Sequence, residues 1–389
     1  MKKYFIYTFG CKVNQYESQL ISENFKKNNF ERALKPEEAD VIILNSCTVT
    51  AKADKECQYF IRKLSKLSRK PKITLTGCLV KNKNVSLSKM FPNIEIVTDK
   101  TTLFNDSQKQ TVSGFDKHSR VFLKIQDGCD SFCSYCIVPR VRNVLWSKPE
   151  NEVISEIINL VKTGCSEIVL TGIHVGKYKG GLSVLVEKIV QIDLDFRIRI
   201  SSIEMNEIDD KLIELMKANP NKICRHLHIP LQSGSEKILK EMNRKYSKKN
   251  FEEKILEIIK ALPDLALTTD VIAGFPGETE KHHKETCDFV KKLPFAGFHI
   301  FRYSDREGTK ASQFKNKVPS TEIKNRAKDL FEIDLIKRKI FLSNNLETKR
   351  KAVKIGVNKA LTDNYIRVET DTPEISKIFE TKITENSKI

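Results

Sequence analysis

The sequence predicts an α/β protein in three parts: an N-terminal open parallel α/β sheet, a central partial (β/α)6 barrel and a small C-terminal β module. Two observations predict the first two parts. Short apolar runs alternate with helical patterns from Lys3 to Leu342, and such alternation implies parallel strands joined by crossover helices. Cysteines fall directly after several of those runs, at the edge where open α/β sheets place their ligands. A third observation, the change to short strands alone after Asn345, predicts the C-terminal part. The expected boundaries are 1–105, 115–342 and 345–389.

In the first part, residues 3–9 read as a strand ending at Gly10-Cys11, and a helical pattern follows over 16–28. Residues 41–44 form a continuous apolar strand ending at Asn45-Ser46-Cys47, with a helix over 53–67. A third strand, 72–76, ends at Gly77-Cys78. Three cysteines far apart in sequence therefore converge on one sheet edge. Residues 105–119 are polar, carry Gly114 and read as a linker.

The alternation resumes at Val121. Strands are expected over 121–126, 167–170, 197–200, 226–229, 266–272 and 297–301. Helices are expected over 151–162, 182–191, 209–218, 236–242, 279–293 and 321–342. Six units in about 220 residues are too few for a closed eight-stranded barrel. A six-unit, partly open barrel fits, with its site at the strand carboxyl ends and a gap wide enough for a bulky substrate. Beyond Asn345, short strands are expected over 353–357, 365–369 and 379–383.

The chemistry is carried by cysteine. Cys129, Cys133 and Cys136 form a C-x-x-x-C-x-x-C run just after the first barrel strand, and Cys11, Cys47 and Cys78 form a wider trio upstream. Three thiolates on a [4Fe–4S] cluster leave one iron free to bind a reactive ligand. Zinc, or a cluster with a distant fourth cysteine, uses the same spacing. Cys57, Cys165, Cys224 and Cys287 lie among apolar or helical residues and read as buried small hydrophobes. His226 and His228 read as facing opposite sides of a strand, and His282-His283 as a solvated helix face; neither is taken as a metal pair.

The formal net charge is +18, from 52 Lys and 16 Arg against 50 acidic residues. A polyanionic partner is the functional reading of that excess; a compositional bias towards lysine accounts for part of it. Three basic runs stand out: Arg62 to Lys72, Arg244 to Lys249, and Lys349 to Lys354. No window approaches the ~18 apolar residues of a membrane span, and the hydrophobic stretch near Met1 is short for a signal peptide. A cytoplasmic protein is expected.

The run Cys129-Asp130-Ser131-Phe132-Cys133-Ser134-Tyr135-Cys136 resembles that of the radical S-adenosylmethionine (SAM) superfamily. The upstream trio narrows the resemblance to the methylthiotransferases. Thr8-Phe9-Gly10-Cys11-Lys12-Val13-Asn14-Gln15-Tyr16 and Asn45-Ser46-Cys47-Thr48-Val49-Thr50 are similar to the branch acting on N6-threonylcarbamoyladenosine in tRNA. Sister branches act on isopentenyladenosine in tRNA or on a ribosomal protein. Further similarity lies in Leu170-Thr171-Gly172-Ile173-His174, Ser201-Ser202-Ile203-Glu204, Pro230-Leu231-Gln232-Ser233-Gly234 and Asp270-Val271-Ile272-Ala273-Gly274. One departure is Pro139-Arg140-Val141-Arg142-Asn143, where an Ala-Arg-Gly-like ending is common in the family. Residues 360–368 resemble the core of the family's RNA-binding TRAM module, here short.

The resemblance implies two [4Fe–4S] clusters and SAM. Cys129, Cys133 and Cys136 would hold the cluster that binds SAM; Cys11, Cys47 and Cys78 would hold an auxiliary cluster carrying the sulfur to be inserted. Tyr135, Thr171, Gly172, Ser202, Glu204, Gln232 and Ile272 are the implied SAM contacts. The implied reaction cleaves SAM to a 5′-deoxyadenosyl radical, removes the hydrogen at adenine carbon 2 and replaces it with a methylthio group. Cofactors carry such chemistry while the protein positions the parts, and no acid–base dyad is expected. The implied partners are a tRNA anticodon stem-loop, held largely through phosphate contacts, and an external one-electron reductant of flavodoxin or ferredoxin type. A sulfur donor is implied without being identified, and a monomer is expected.

Overall fold

The computed structural model describes residues 1–103, 111–114, 119–372 and 377–389, apart from the side chains of Asn84 and Val85. Most of the expected linker, 105–119, lies outside the described residues. Its described part is pinned: Gln19 Nε2 donates to the Gly114 carbonyl and Val112 N donates to Glu156 Oε1.

The chain begins with β1 (Lys3–Thr8), α1 (Lys12–Lys27), β2 (Glu31–Arg32), β3 (Val41–Ser46), α2 (Ala51–Leu64), β4 (Lys72–Gly77), α3 (Cys78–Met90) and β5 (Glu95–Ile96). The five strands form one parallel sheet in the order β2-β1-β3-β4-β5. Ile42, Ile43 and Leu44 are fully buried in β3, the both-faces burial of a central parallel strand. Thr50 caps α2 by accepting from Ala53 N at 3.2 Å. Each trio cysteine follows its strand, as expected. α1 begins earlier than the sequence pattern indicates, at Lys12 with Cys11 as its N-cap, and α3, which starts at Cys78 itself, was not expected from the sequence.

The barrel follows: β6 (Arg120–Lys124), β7 (Gln126–Asp127), α4 (Val138–Val141), β8 (Trp146–Ser147), α5 (Glu150–Lys162), β9 (Glu167–Thr171), α6 (Leu182–Val190), β10 (Arg197–Ile200), α7 (Asp210–Ala218) and β11 (His226–His228). It continues through α8 (Glu236–Glu241), α9 (Lys248–Ala261), β12 (Ala266–Ala273), α10 (Glu280–Lys292), β13 (Gly297–Arg302) and the long α11 (Ser320–Ser343). Two three-stranded parallel sheets, β10-β9-β6 and β11-β12-β13, meet through the bridges Ile198↔Ile223 and Ser202↔His228. The strands thus run β6-β9-β10-β11-β12-β13, and a gap separates β6 from β13. The short antiparallel pair β7-β8 brackets the loop that carries the second cysteine trio. α9 was not expected from the sequence. Ser247 caps it, and it buries Phe251, Ile255 and Ile258 on one face.

One apolar core fills the barrel and takes in Tyr16 and Leu20 of α1, so the N-terminal domain packs directly on it. Tyr16 Oη donates to Glu156 Oε1 at 2.7 Å, and Arg306 Nη2 donates to Thr48 Oγ1 and Asp54 Oδ2, each at 2.7 Å.

The C-terminal module is a four-stranded antiparallel sheet, β16-β15-β14-β17, built from β14 (Lys349–Gly356), β15 (Lys359–Thr362), β16 (Arg367–Glu369) and β17 (Ile378–Lys382). Three strands were expected, and β15 is the additional one. The module docks on the starting ends of the barrel strands. Arg197 donates to the Lys351 and Leu361 carbonyls, and Arg199 to those of Asp363 and Thr362. Tyr365 stacks on His226 at a centroid separation of 4.2 Å. Among the described residues, no helix is long and apolar enough to cross a membrane.

Candidate active site

The compact trio sits on a loop fixed from both sides. Ser134 N donates to the Met242 carbonyl at 3.0 Å, Ser134 Oγ to the Glu241 carbonyl at 2.7 Å, and Ala311 N to the Ser134 carbonyl at 2.7 Å. Phe132 adopts φ +46°, a left-handed conformation that costs a non-glycine residue energy. Gly128 has φ +81°, and a Cβ there would lie 2.2 Å from the Val144 carbonyl oxygen. The turn into the trio therefore requires glycine.

Each thiol has its own environment. Burial works to raise the Cys129 thiol, but contacts with His174 and Ser131 outweigh it and leave it below its ordinary value. His174 Nδ1 lies 3.5 Å from Cys129 Sγ, and His174 Nε2 lies 2.7 Å from Glu207 Oε1. Burial opposes the imidazolium, yet Cys129 and Glu207 raise its pKa to about 10. Burial pushes the Cys136 thiol up to about 12. Arg244 Nη1 donates to Cys133 Sγ at 3.4 Å.

The upstream trio is assembled by asparagines. Asn14 Nδ2 donates to the Phe9 and Ser46 carbonyls at 2.8 and 3.0 Å, and Asn45 Nδ2 returns a bond to the Asn14 carbonyl at 2.9 Å. The loops after β1 and β3 are laced together by these bonds. A Cβ on Gly10 would fall 2.7 Å from Cys47 Sγ, so the backbone at Cys11 approaches Cys47 closely. Cys11, Cys47 and Cys78 act on one another electrostatically; burial raises the Cys11 thiol and pushes that of Cys47 up to about 11.

Tyr135, Ser202, Glu204 and Gln232 line one recess with Cys129, Cys133 and Cys136. Gln232 holds φ +68°, and strain of this kind concentrates at functional sites. Thr171, Gly172 and Ile272 do not line the recess. Gly172 lies under Gln126, where a Cβ would sit 2.9 Å from Gln126 Oε1, and Gln126 Oε1 accepts from His174 N. Ile272 packs in a small apolar cluster beside Tyr135.

Several residues at the site were missed or misread. Glu207 lies in no motif read from the sequence, and His174 and Arg142 lie in such segments without being given a role. Arg244 was read as part of a surface basic run, but it points inward to Cys133 and pairs with Glu204. His226 and His228 share a face, because positions i and i+2 of a strand point the same way; both rings reach Thr268 Oγ1. His283 is buried and lies 3.0 Å from Asp329 Oδ2, so it is no solvated helix face. Cys57, Cys165, Cys224 and Cys287 are all buried.

All ten cysteines are free thiols. The two trios fit the donor set of two iron–sulfur clusters, each offering three soft ligands, one trio at strand ends and the other on a single loop. Residues 123–290 match the Radical SAM superfamily, and residues 3–99 match the Uncharacterized protein family UPF0004. The structure of the radical S-adenosylmethionine methyltransferase TsrM from Kitasatospora setae, with cobalamin and a [4Fe-4S] cluster bound, superposes with a TM-score of 0.56 at 13% identity, over 78% of this chain and 75% of that one. The likeness supports the fold alone.

The open barrel and its three-thiol loop define the class: a radical SAM enzyme, here with a second three-thiol domain in front. The threonylcarbamoyladenosine tRNA methylthiotransferase MtaB of Bacillus subtilis strain 168 is 36% identical, over 97% of this chain and 92% of its own length. The tRNA-2-methylthio-N(6)-dimethylallyladenosine synthase of Endomicrobium trichonymphae is 33% identical, over 94% and 92%. The chain belongs to this family of radical SAM methylthiotransferases.

Proposed function

We propose that the chain inserts a methylthio group at carbon 2 of N6-threonylcarbamoyladenosine beside a tRNA anticodon. The observation that carries the reading is the pairing of two three-cysteine sites on domains packed together, with Arg142 from the loop after one trio donating to Cys78 of the other. The activity and substrate named for the Bacillus relative support it.

In this reading Cys129, Cys133 and Cys136 hold the SAM-binding cluster, and Cys11, Cys47 and Cys78 hold the auxiliary one. When bound, the cofactors supply the hydrogen-abstracting radical, the sulfur and the methyl group. The chain supplies position and electrostatics. Tyr135, Ser202, Glu204 and Gln232 face the methionyl and adenosyl parts of SAM, with Thr171, Gly172 and Ile272 supporting them from behind. Arg244 and His174 offset the charge of thiolates in a buried setting. The gap between β6 and β13 admits a base taken out of its stack. The exposed cations of 62–72, with Lys245 and Lys249, hold phosphates.

The domain division follows the three parts, 1–105, 115–342 and 345–389, the last a short TRAM-like RNA contact. A flavodoxin- or ferredoxin-type reductant, a separate sulfur donor, a cytoplasmic location and a monomeric state complete the proposal. The second reading, a dimethylallyladenosine substrate, draws on the Endomicrobium relative.

Nucleoside mass spectrometry of tRNA from cells with and without the gene tests this. Loss of 2-methylthio-threonylcarbamoyladenosine, with its precursor accumulating, is expected. An unchanged threonylcarbamoyl profile with altered isopentenyl products would transfer the assignment to the second reading.

A further inference from the structure

The open side of the barrel carries a polar cluster distinct from the cofactor recess. β11, β12 and β13 present His228, Asp270 and His299 together. His228 Nε2 lies 3.0 Å and His299 Nδ1 3.1 Å from the same atom, Asp270 Oδ1, and the two imidazoles stack at 5.3 Å. Thr268 Oγ1, 2.9 Å from His228 Nδ1, anchors the inner ring from behind. His299 lies at the exposed end, on the strand that borders the gap. Lys12 comes from the other border, because α1 packs against β6. Its ammonium acts electrostatically on Asp270, Arg120, Arg199 and His226. Among the described residues it has no hydrogen-bond or ion-pair partner.

Two ligand chemistries compete for such a site. The three donor atoms lie within 4.8 Å of one another, close enough to hold a divalent cation. The surrounding charge decides against it. Arg120, Arg197 and Arg199 share the single carboxylate of Glu167, and Arg120 and Arg199 act on Lys12 more strongly than the single carboxylate of Asp270 does. Three guanidinium cations and the Lys12 ammonium thus stand against two carboxylates. A dication would add to an excess that is already positive, whereas a carboxylate would cancel part of it.

The inference rests on the proposed substrate. A threonylcarbamoyl group on N6 of adenine ends in a free carboxylate and a hydroxyl, while a dimethylallyl group ends in methyls. Lys12 directly follows Cys11, so a base whose carbon 2 receives sulfur from that trio's site keeps its N6 substituent in the same opening. We propose that Lys12 is a specificity-determining residue: it receives the carboxylate of the N6 substituent, while Asp270, held between His228 and His299, accepts a hydrogen bond from the hydroxyl.

The test measures binding, so it does not depend on turnover. Full-length protein with both clusters loaded is titrated anaerobically against anticodon stem-loops carrying adenosine, threonylcarbamoyladenosine, its carboxylate methyl ester, or dimethylallyladenosine at the target position. Wild type is expected to prefer the threonylcarbamoyl RNA over the ester by about tenfold, a charge-assisted contact of about 1.4 kcal/mol. Lys12→Met is expected to bind both equally with unchanged iron content, and Lys12→Arg to restore the preference. A wild type indifferent to esterification, or Lys12→Met retaining the full preference, overturns the role of Lys12. Those results leave the proposed function standing if the threonylcarbamoyl RNA still binds more tightly than the adenosine and dimethylallyl RNAs. Wild-type preference for the dimethylallyl RNA overturns the proposed function and this inference together. Stoichiometric zinc or manganese uptake beyond the clusters, lost in His299→Ala, overturns the choice of anion over cation.

Discussion

Arg142 Nε donates to Cys78 Sγ across 3.3 Å, joining the loop after the compact cysteine trio to the last cysteine of the upstream one. The same guanidinium donates to Asn14 Oδ1 at 2.7 Å, to Glu17 at 3.0 and 3.1 Å, and to Asp127 at 2.8 and 2.9 Å. Asn14 in turn laces the Cys11 and Cys47 loops. One buried side chain therefore ties together two three-cysteine loops from different domains. It occupies the segment where the sequence departs from the family's usual ending.

Removing that guanidinium leaves two carboxylates poorly compensated in the interior. Burial opposes ionisation of Glu17, and Arg142, Lys100 and Lys124 overcome it, holding the carboxyl well below the usual range. Truncating one partner of a buried charge network costs about 3–5 kcal/mol. Lys100 and Lys124 stay in place, so Arg142→Met is expected to lose about 3 kcal/mol. Denaturant unfolding measures this, and Glu17→Gln in the same chain should recover part of the loss. Equal midpoints for wild type and Arg142→Met would show that the network carries no net stability.

The docking of the C-terminal module depends on one carboxylate. Burial opposes the charge of Glu167, but Arg199, Arg197 and Arg120 hold its carboxyl well below the ordinary value. A group depressed in the folded state stabilises fully above its unfolded pKa of about 4.3, and the contribution fades as pH falls towards the folded value. Glu167→Gln should therefore be less stable than wild type at pH 7. The gap between the two melting temperatures should narrow as pH falls below about 4. Both proteins carry the same clusters, so cluster loss in acid affects the two alike. A gap independent of pH would remove Glu167 as the source.

Arg244 lies against Cys133 Sγ and pairs with Glu204. A cation beside a metal-bound thiolate favours the reduced, more negative cluster. Arg244→Gln removes that cation and leaves Glu204 unpaired, and both changes make reduction harder. The midpoint potential of the SAM-binding cluster is expected to fall by on the order of 50 mV, given an effective dielectric near 20. Redox titration followed by electron paramagnetic resonance measures it, and an unmoved potential would reduce Arg244 to a packing role.

Legibility in the sequence followed the physics of each element. The strand-end cysteines were readable because β3 and β4 are short, apolar and β-branched, and each is punctuated by small or polar residues before its cysteine. α3 was not readable: Asn and Ser dilute its helical pattern, and Lys83 breaks its dihedrals. α9 was legible in principle, with a Ser247 cap and apolar residues at helical spacing, but its lysines had been assigned to a charge run. Arg142 and Arg244 could not be placed from one sequence. An arginine that closes a buried network looks the same in composition as one on the surface. Lys12 was visible only as part of a motif, and its place at the barrel gap follows from how α1 packs on β6.

The division of the ten cysteines can be settled by counting iron. Two four-iron clusters give about eight irons per chain. Cys47→Ser and Cys133→Ser each remove one ligand of a three-thiolate set, and each is expected to reduce the content to about four. Cys57→Ser and Cys224→Ser alter buried thiols that belong to neither trio, whose pKa values burial pushes up to about 12. These two variants are expected to keep all the iron and to differ only in stability: a hydroxyl at Cys57, inside an apolar cluster, costs about 1–3 kcal/mol, whereas one at Cys224 can still donate to Glu167 and costs less. Iron and labile sulfide assays on anaerobic preparations read the result directly. Loss of iron in Cys224→Ser, or full iron in Cys47→Ser, would redraw the ligand set.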